Sequence, residues 1–336
     1  MDIQLKKYVL ELKHTFSISR ESYDFQDSLI VCLSLDGKTG YGEATSNPYY
    51  QITTEKMISE INDIADELKN YTFTSPEDLY SWLTLKNISN FSKCAIDLAA
   101  HDLYGKLLNQ PLYKIWNTDI GHYPVTSYTI GIASVEKMIE KLEAFPWPIY
   151  KIKLGTDRDI EIIRRLRAHS NAIFRVDANC AWAPGETVKN SFILKELGVE
   201  FIEQPLKADN WEGYKTVYKE SALPVIADES CIIASDVEKC LGYFNGINIK
   251  LTKCGGLTPA LQMIKTAKKS GLKTMVGCMT ESTVGISAIA QLLPQLDYVD
   301  MDGAMLLKKD IAQGVRIEAK GKVIFPELGG SGITLN

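Results

Sequence analysis

Lys151 and Lys153 stand two residues apart in Ile149-Tyr150-Lys151-Ile152-Lys153-Leu154, an apolar run closed by Gly155. Residues at this spacing in a β-strand share a face, so both ammonium groups leave on the same side. Such a face is no ordinary core, because burying unpaired charge is costly; the alternative is an edge strand with its lysines in water. Further along, Asp177, Glu203, Asp228 and Lys250 each end another short apolar run, about 25 residues apart. Carboxylates ending neighbouring strands of a parallel sheet lie close together, since strands are about 4.8 Å apart, and like charges at that range need a cation. Ligation by oxygen alone points to a hard ion, Mg²⁺, completed by water and substrate oxygen.

The lysines complete a chemistry. In a closed ring of eight strands, the strand carrying Lys153 and the one ending at Lys250 are four apart and face each other. Two bases on opposite faces of one carbon can remove a proton from one side and return it to the other. A carbon acid beside a carboxylate is very weak, and a cation on that carboxylate offsets the charge that develops. One lysine must be neutral, so a fall from about 10.4 to roughly 7 to 8 is expected, driven by burial, Lys151 and the metal. Lys151, nearer the strand interior, is expected as a fixed positive charge on the substrate carboxylate.

The elements that position these residues follow from the pattern. Residues 1 to about 50 read as strands and turns, with Asp36-Gly37 a hairpin signal and a polar loop over residues 14–26 that carries Arg20. Helical periodicity takes over from 53 to about 108, making an α+β unit. From about 123, eight strands alternate with helices, the pattern of a (β/α)₈-type barrel, whose active sites lie at the C-terminal strand ends. The predicted layout is an α+β capping domain over 1–120, the barrel over 121–306, and a C-terminal segment over 307–336 in which Val323-Ile324-Phe325-Pro326 returns to the first domain.

Composition narrows the field. The 336 residues carry a net charge of −5 and a pI near 5.6, which argues against nucleic acid or an anionic membrane as partner. No apolar run of about 20 residues exists to span a bilayer, and the N-terminus shows no secretory pattern. Seven scattered cysteines without a CxxC pair suit a reducing, cytoplasmic setting and no thiolate zinc site.

The residues also carry a resemblance. Lys151-x-Lys153, Asp177-Ala178-Asn179, Glu203-Gln204-Pro205, Asp228-Glu229-Ser230 and Lys250-Leu-Thr-Lys-Cys-Gly-Gly resemble the muconate-cycloisomerase-type subgroup of the enolase superfamily across essentially the whole chain. This resemblance implies a modified TIM barrel with one strand lost or reversed, and Mg²⁺ on Asp177, Glu203 and Asp228. Within the subgroup, Tyr128-Thr129-Ile130-Gly131-Ile132 and Asp300-Met301-Asp302 look like those of dipeptide epimerases. By that likeness Asp300 and Asp302 bind a dipeptide's α-ammonium, Thr129 and Cys278 touch substrate, and Arg20 pairs with an acidic side chain such as the glutamate of Ala-Glu, a substrate of cell-wall peptide recycling. The family's serine at position 278 is cysteine here. Barrels of this type often associate, so a homo-oligomer is open. An o-succinylbenzoate synthase or cycloisomerase would share both lysines and all three ligands, but its substrates offer no ammonium to Asp300 and Asp302, unless those are merely solvated loop acids. Acid-sugar dehydration would call for a histidine near the seventh barrel strand, and none follows His169. A non-enzymatic metal module would leave the opposed lysines without purpose.

Overall fold

The computed structural model describes residues 1–18 and 21–336. Three antiparallel strands, β1 (Asp2–Ser17), β2 (Ser22–Leu35) and β3 (Lys38–Thr45), lie side by side in chain order. Asp36 and Gly37, with φ of 49° and 72°, form the left-handed turn a two-residue hairpin requires. The loop expected over residues 14–26 is largely strand instead, with Phe16 paired to Tyr23. A register shift between Glu11 and Phe16 interrupts the alternation and hides the strand from its pattern.

Helices α1 (Thr54–Asp63), α2 (Ala65–Lys69), α3 (Pro76–Thr84), α4 (Asn90–Leu107) and α5 (Leu112–Ile115) follow. Thr53 and Ser75 cap α1 and α3 by accepting from the backbone N–H groups of Lys56 and Asp78. β3 lies directly on α4: a Cβ at Gly42 would stand 2.1 Å from the Ala95 carbonyl oxygen, so only glycine fits.

The barrel alternates β4 (Tyr128–Ile130), α6 (Val135–Ala144), β5 (Ile149–Lys153), α7 (Asp159–Arg167), β6 (Ile173–Asp177), α8 (Pro184–Glu196), β7 (Val199–Glu203), α9 (Trp211–Glu220), β8 (Val225–Ala227), β9 (Gly246–Ile249), α10 (Leu251–Cys254), α11 (Leu257–Lys269), β10 (Lys273–Gly277), α12 (Thr283–Leu292) and β11 (Tyr298–Asp300). All eight strands are parallel and in sequential order, and Thr126 bridges to Val299 where the sheet meets itself. The expected lost or reversed strand is therefore not what modifies this barrel. Two connections do: short 3₁₀ turns at Ala234–Asp236 and Glu238–Cys240 replace a helix between β8 and β9, and a 3₁₀ turn at Gly303–Leu306 rather than an α-helix follows β11. After β11 the chain is instead drawn onto β1, where Leu12 bridges Leu307 and the Lys308 N–H donates to the Glu11 carbonyl at 2.8 Å.

The C-terminal segment closes on the first domain. Phe325 packs edge-on against Tyr113 of α5, the Leu112 N–H donates to the Gly330 carbonyl at 3.1 Å, and Ile333 is buried with Ile30 and Cys32 of β2. Three buried acids of the first domain hold the rest from the other side. Glu43 accepts from Ser282 and Gly285 at the start of α12, Asp97 from Thr258 at the start of α11, and Asp102 from Ser331 in the tail. Each satisfies N–H groups that a helix or tight turn leaves without an internal acceptor. Gly255 ends α10 and Gly256 opens α11; a Cβ on Gly256 would lie 2.3 Å from Asp97.

Candidate active site

Parallel strands with apolar centres and polar ends bring the charged residues to one rim. Oxygens of Asp177 (end of β6), Glu203 (end of β7) and Asp228 (after β8) all lie within 4.8 Å of one another, and all three residues are buried. Burial and the neighbouring Asp177 push Glu203 up to about 7. Burial would lift Asp177 as well, but Lys153 and Lys151 outweigh it and hold this carboxylate at about 2. Three buried oxygen donors whose charges crowd each other in this way fit a hard divalent cation.

Lysines surround the trio. Lys153, the last residue of β5, donates to Asp177 Oδ2 at 2.7 Å, and Lys250, just past β9, lies 2.7 Å from Asp228 Oδ2. β5 and β9 are four places apart among eight strands, so the two ammonium groups approach from opposite sides of the ring. At Lys250 burial opposes the charge, but Asp228 outweighs burial and holds the ammonium above its usual range. Lys151 is 1% exposed and lies 2.9 Å from both Glu203 and Asp300 and 3.4 Å from Asp177. Its charge thus ties the trio to the acids after β11.

Those acids are not solvated loop residues; Asp300 is 5% exposed and Asp302 2%. Asp300 accepts from Ser127 Oγ at 3.0 Å, while Thr129 donates to Asp302 through its backbone N–H at 2.7 Å and its hydroxyl at 3.2 Å. Burial, then Asp300, push Asp302 up to about 8, so the pair holds a proton at neutral pH. Cys278 lines the same cavity, its thiol pushed up by burial and by Asp300. Glu281, for which the sequence suggests no role, is buried behind the rim with Oε1 accepting from the Met279 N–H at 3.0 Å.

The cavity above these groups, about 210 Å³, is roofed by the β1–β2 hairpin through Phe16, Ile18, Glu21, Tyr23 and Phe25. The hairpin's tip is fastened to the barrel: the Ile132 N–H donates to the Ser17 carbonyl at 2.9 Å, and the Tyr23 and Thr280 hydroxyls share a 2.8 Å hydrogen bond. Arg20 lies outside the described residues.

Two supporting residues escape a reading of strand ends. Asn248, on β9 and facing the same side as Lys250, donates to Glu203 Oε1 at 2.7 Å. Lys253 sits 1% exposed and donates to Asp228 Oδ1 and the Asp228 carbonyl, each at 2.5 Å. The signal for Asn248 is its position two before Lys250; for Lys253 it is the single helical turn separating it from Lys250.

Residues 133–336 match the family model described as enolase C-terminal domain-like, and residues 3–116 match that of the mandelate racemase/muconate lactonizing enzyme N-terminal domain. The chain belongs to the enolase superfamily. Among its relatives in this superfamily is an L-Ala-D/L-amino acid epimerase from Maribacter sp., 69% identical over the full length of both chains. Two solved superfamily structures overlay nearly the whole chain. The L-Ala-D/L-Glu epimerase from Bacillus subtilis, a substrate-liganded complex, matches with a TM-score of 0.92 at 27% identity, covering 99% of this chain and 98% of that one. The dipeptide epimerase from Cytophaga hutchinsonii, complexed with Mg and D-Ala-L-Val, matches with a TM-score of 0.92 at 25% identity, covering 99% and 95%. Among the described residues, no helix is long and apolar enough to cross a membrane.

Proposed function

We propose that this enzyme is a dipeptide epimerase that inverts the α-carbon of the second residue of L-Ala-Xaa by two-base 1,1-proton transfer. One observation carries the reading: Lys153 and Lys250 reach the same carboxylate trio from opposite strands of the ring. Mg²⁺ held by Asp177, Glu203 and Asp228 would supply Lewis-acid charge against the negative charge that develops on the substrate carboxylate. One lysine breaks the Cα–H bond and keeps the proton on Nζ; the other donates a proton from its Nζ to the opposite face. Asp300 and Asp302 take the α-ammonium, and Lys151 fixes their position relative to the trio. Thr129 orients Asp302, and Cys278 forms part of the wall beside it.

The ammonium assignment has a sharp consequence. An ammonium docked on the acid pair replaces the proton that Asp302 holds and pairs with both carboxylates, a pairing that a substrate without one cannot make. Breaking such a pairing costs about 3–5 kcal/mol. N-acetyl-L-Ala-L-Glu should therefore have a kcat/KM lower than L-Ala-L-Glu by roughly 10²- to 10⁴-fold. Equal rates for the two would return Asp300 and Asp302 to a structural role.

For the second residue, the aromatic roof of Phe16, Tyr23 and Phe25 suits apolar side chains, and Arg20 is assigned to an acidic one such as glutamate. The Maribacter relative, named for amino acids in general, supports breadth. The test is a panel of L-Ala-L-Xaa dipeptides in D₂O with Mg²⁺, following the α-proton of the second residue by NMR. Exchange with inversion is expected for Ala-Glu and for apolar second residues, and EDTA should abolish it. Arg20→Met should raise KM for Ala-Glu about 10-fold or more, the range of a charged hydrogen bond, and leave Ala-Ala unchanged. Exchange in none of the dipeptides would reject the epimerase reading.

A further inference from the structure

Lys153 and Lys250 stand on differently built backbone. Lys250 is the residue from which α10 starts: its carbonyl accepts from the Lys253 and Cys254 N–H groups at 3.0 and 3.1 Å, so the helix itself fixes it. Lys153 has no helix directly behind it. The chain beyond it runs through an irregular stretch, residues 154–158, before α7 begins, and Gly155 there takes a φ of 117°, which suits glycine alone. A base at the end of such a stretch needs support from elsewhere, because proton transfer tolerates little misplacement.

One buried carboxylate gathers the stretch. Asp159, the first residue of α7, is 4% exposed and accepts from four donors. Its Oδ2 takes the Gly155 N–H at 2.9 Å and the Trp182 indole N–H at 2.8 Å; its Oδ1 takes the Thr156 N–H at 2.9 Å and the Thr156 hydroxyl at 2.8 Å. Arg158 sends its guanidinium to Glu161 instead, so among the described residues these donors, and no cation, meet the Asp159 charge.

A cap for α7 needs no indole from another loop, and the Trp182 contact shows a wider connection. Trp182 is buried on the loop after β6, the same loop that starts at Asp177, and its own N–H donates to the Pro205 carbonyl, just past Glu203, at 2.8 Å. Hydrogen bonds therefore run from the turns that carry two of the acidic trio, through Trp182 and Asp159, to the backbone behind Lys153. The Leu154 N–H, bonded to the Asp177 carbonyl at 2.8 Å, closes the same gap from the strand side.

We infer that Asp159 is a positioning residue for Lys153, and that Trp182 registers it against the cation ligands. The inference rests on the epimerase reading, in which Lys153 works one face of the α-carbon and Lys250 the other. Loosening Asp159 should then impair the proton transfers of Lys153 and spare those of Lys250, whose support lies across the ring.

Single-base backgrounds separate the two. In Lys250→Ala only Lys153 can exchange the α-proton, and in Lys153→Ala only Lys250 can. Asp159→Asn keeps the shape but turns an amide group toward two of the donors. Added to the first background, it should slow deuterium exchange of Ala-Ala, measured on the epimer that background labels, about 10- to 100-fold. Added to the second, it should slow exchange by less than about twofold. Trp182→Phe retains a ring and removes one donor; it should show the same bias at about 3- to 10-fold, and it carries the test if Asp159→Asn folds poorly. A residue that merely caps α7 would slow both backgrounds alike or neither. The inference is overturned if the second background slows as much as the first or more, or if neither slows beyond about twofold. A wild-type protein that exchanges no dipeptide rejects the epimerase reading separately. Asp159 is then decided by acetic anhydride labelling read by peptide mass spectrometry. Lys153 released from Asp177 should react about 10-fold faster in Asp159→Asn than in wild type, the scale of a lost charged hydrogen bond, with Lys250 within about twofold. Unchanged labelling of Lys153 overturns the assignment.

Discussion

Lys153→Ala and Lys250→Ala should each stop inversion, lowering the rate by about 10⁴-fold, the upper range for loss of a positioned acid or base. The two variants should fail in complementary ways. Each retains the lysine on one face, and that lysine can still exchange the α-proton of whichever enantiomer points its C–H bond toward it. In D₂O one variant should therefore label only the L second residue and the other only the D, with no crossover. Mg²⁺ binding should survive in both, because neither lysine is a ligand; Lys250→Ala removes a competitor 2.7 Å from Asp228 Oδ2. Near wild-type inversion in either variant would reject the two-base assignment. Loss of exchange from both enantiomers in both variants would instead mean that the lysines act as one unit on one face.

The second large effect belongs to the carboxylate trio. Glu203→Gln keeps shape and burial while deleting one charge, and should weaken Mg²⁺ by more than about 100-fold, beyond the loss typical of an outer partner. Activity should fall with it and be regained in part at high Mg²⁺. The wild-type protein adds a check through pH. Burial and Asp177 hold the Glu203 carboxyl at about 7, so below that value a cation must displace a proton and above it need not. Mg²⁺ affinity measured by calorimetry should fall toward about tenfold per unit as the pH drops below 7 and level off above it. Asp177, held at about 2, contributes no such slope in this range. A flat profile from about pH 6 to about pH 8 would remove Glu203 from the ligand set.

Much of this rim is legible in the chain because of one regularity: a parallel strand buried on both faces is apolar until it ends, so a charged residue at its end stands out. Asp177, Glu203, Asp228 and the two-lysine motif are visible for that reason. Asn248 is not, because it lies inside the strand and reads as one polar residue among apolar neighbours. Lys253 is hidden differently, since a lysine in the first turn of a helix is ordinarily solvated, and only the fold shows it buried against Asp228. The roof reads as loop because the shift between Glu11 and Phe16 breaks the two-residue period on which strand reading depends. The surroundings of Lys250 are hidden for a further reason. Burial could be anticipated from its position, but the 2.7 Å approach of Asp228, which reverses the effect of burial, is a distance no spacing encodes.

Glu43, Asp97 and Asp102 lend this molecule a particular kind of heredity. Their carboxylates close the starts of two barrel helices and hold the tail, so the polypeptide that roofs the cavity also completes the scaffold beneath it. A barrel inherited alone would arrive with helix starts lacking their acceptors. Recombination of whole domains is therefore a poor route to new substrates, whereas point changes along the β1–β2 hairpin alter what the roof admits and leave the lysines and acids in place. Diversification in such a protein proceeds by editing one edge of the first domain, under a chemistry that stays fixed.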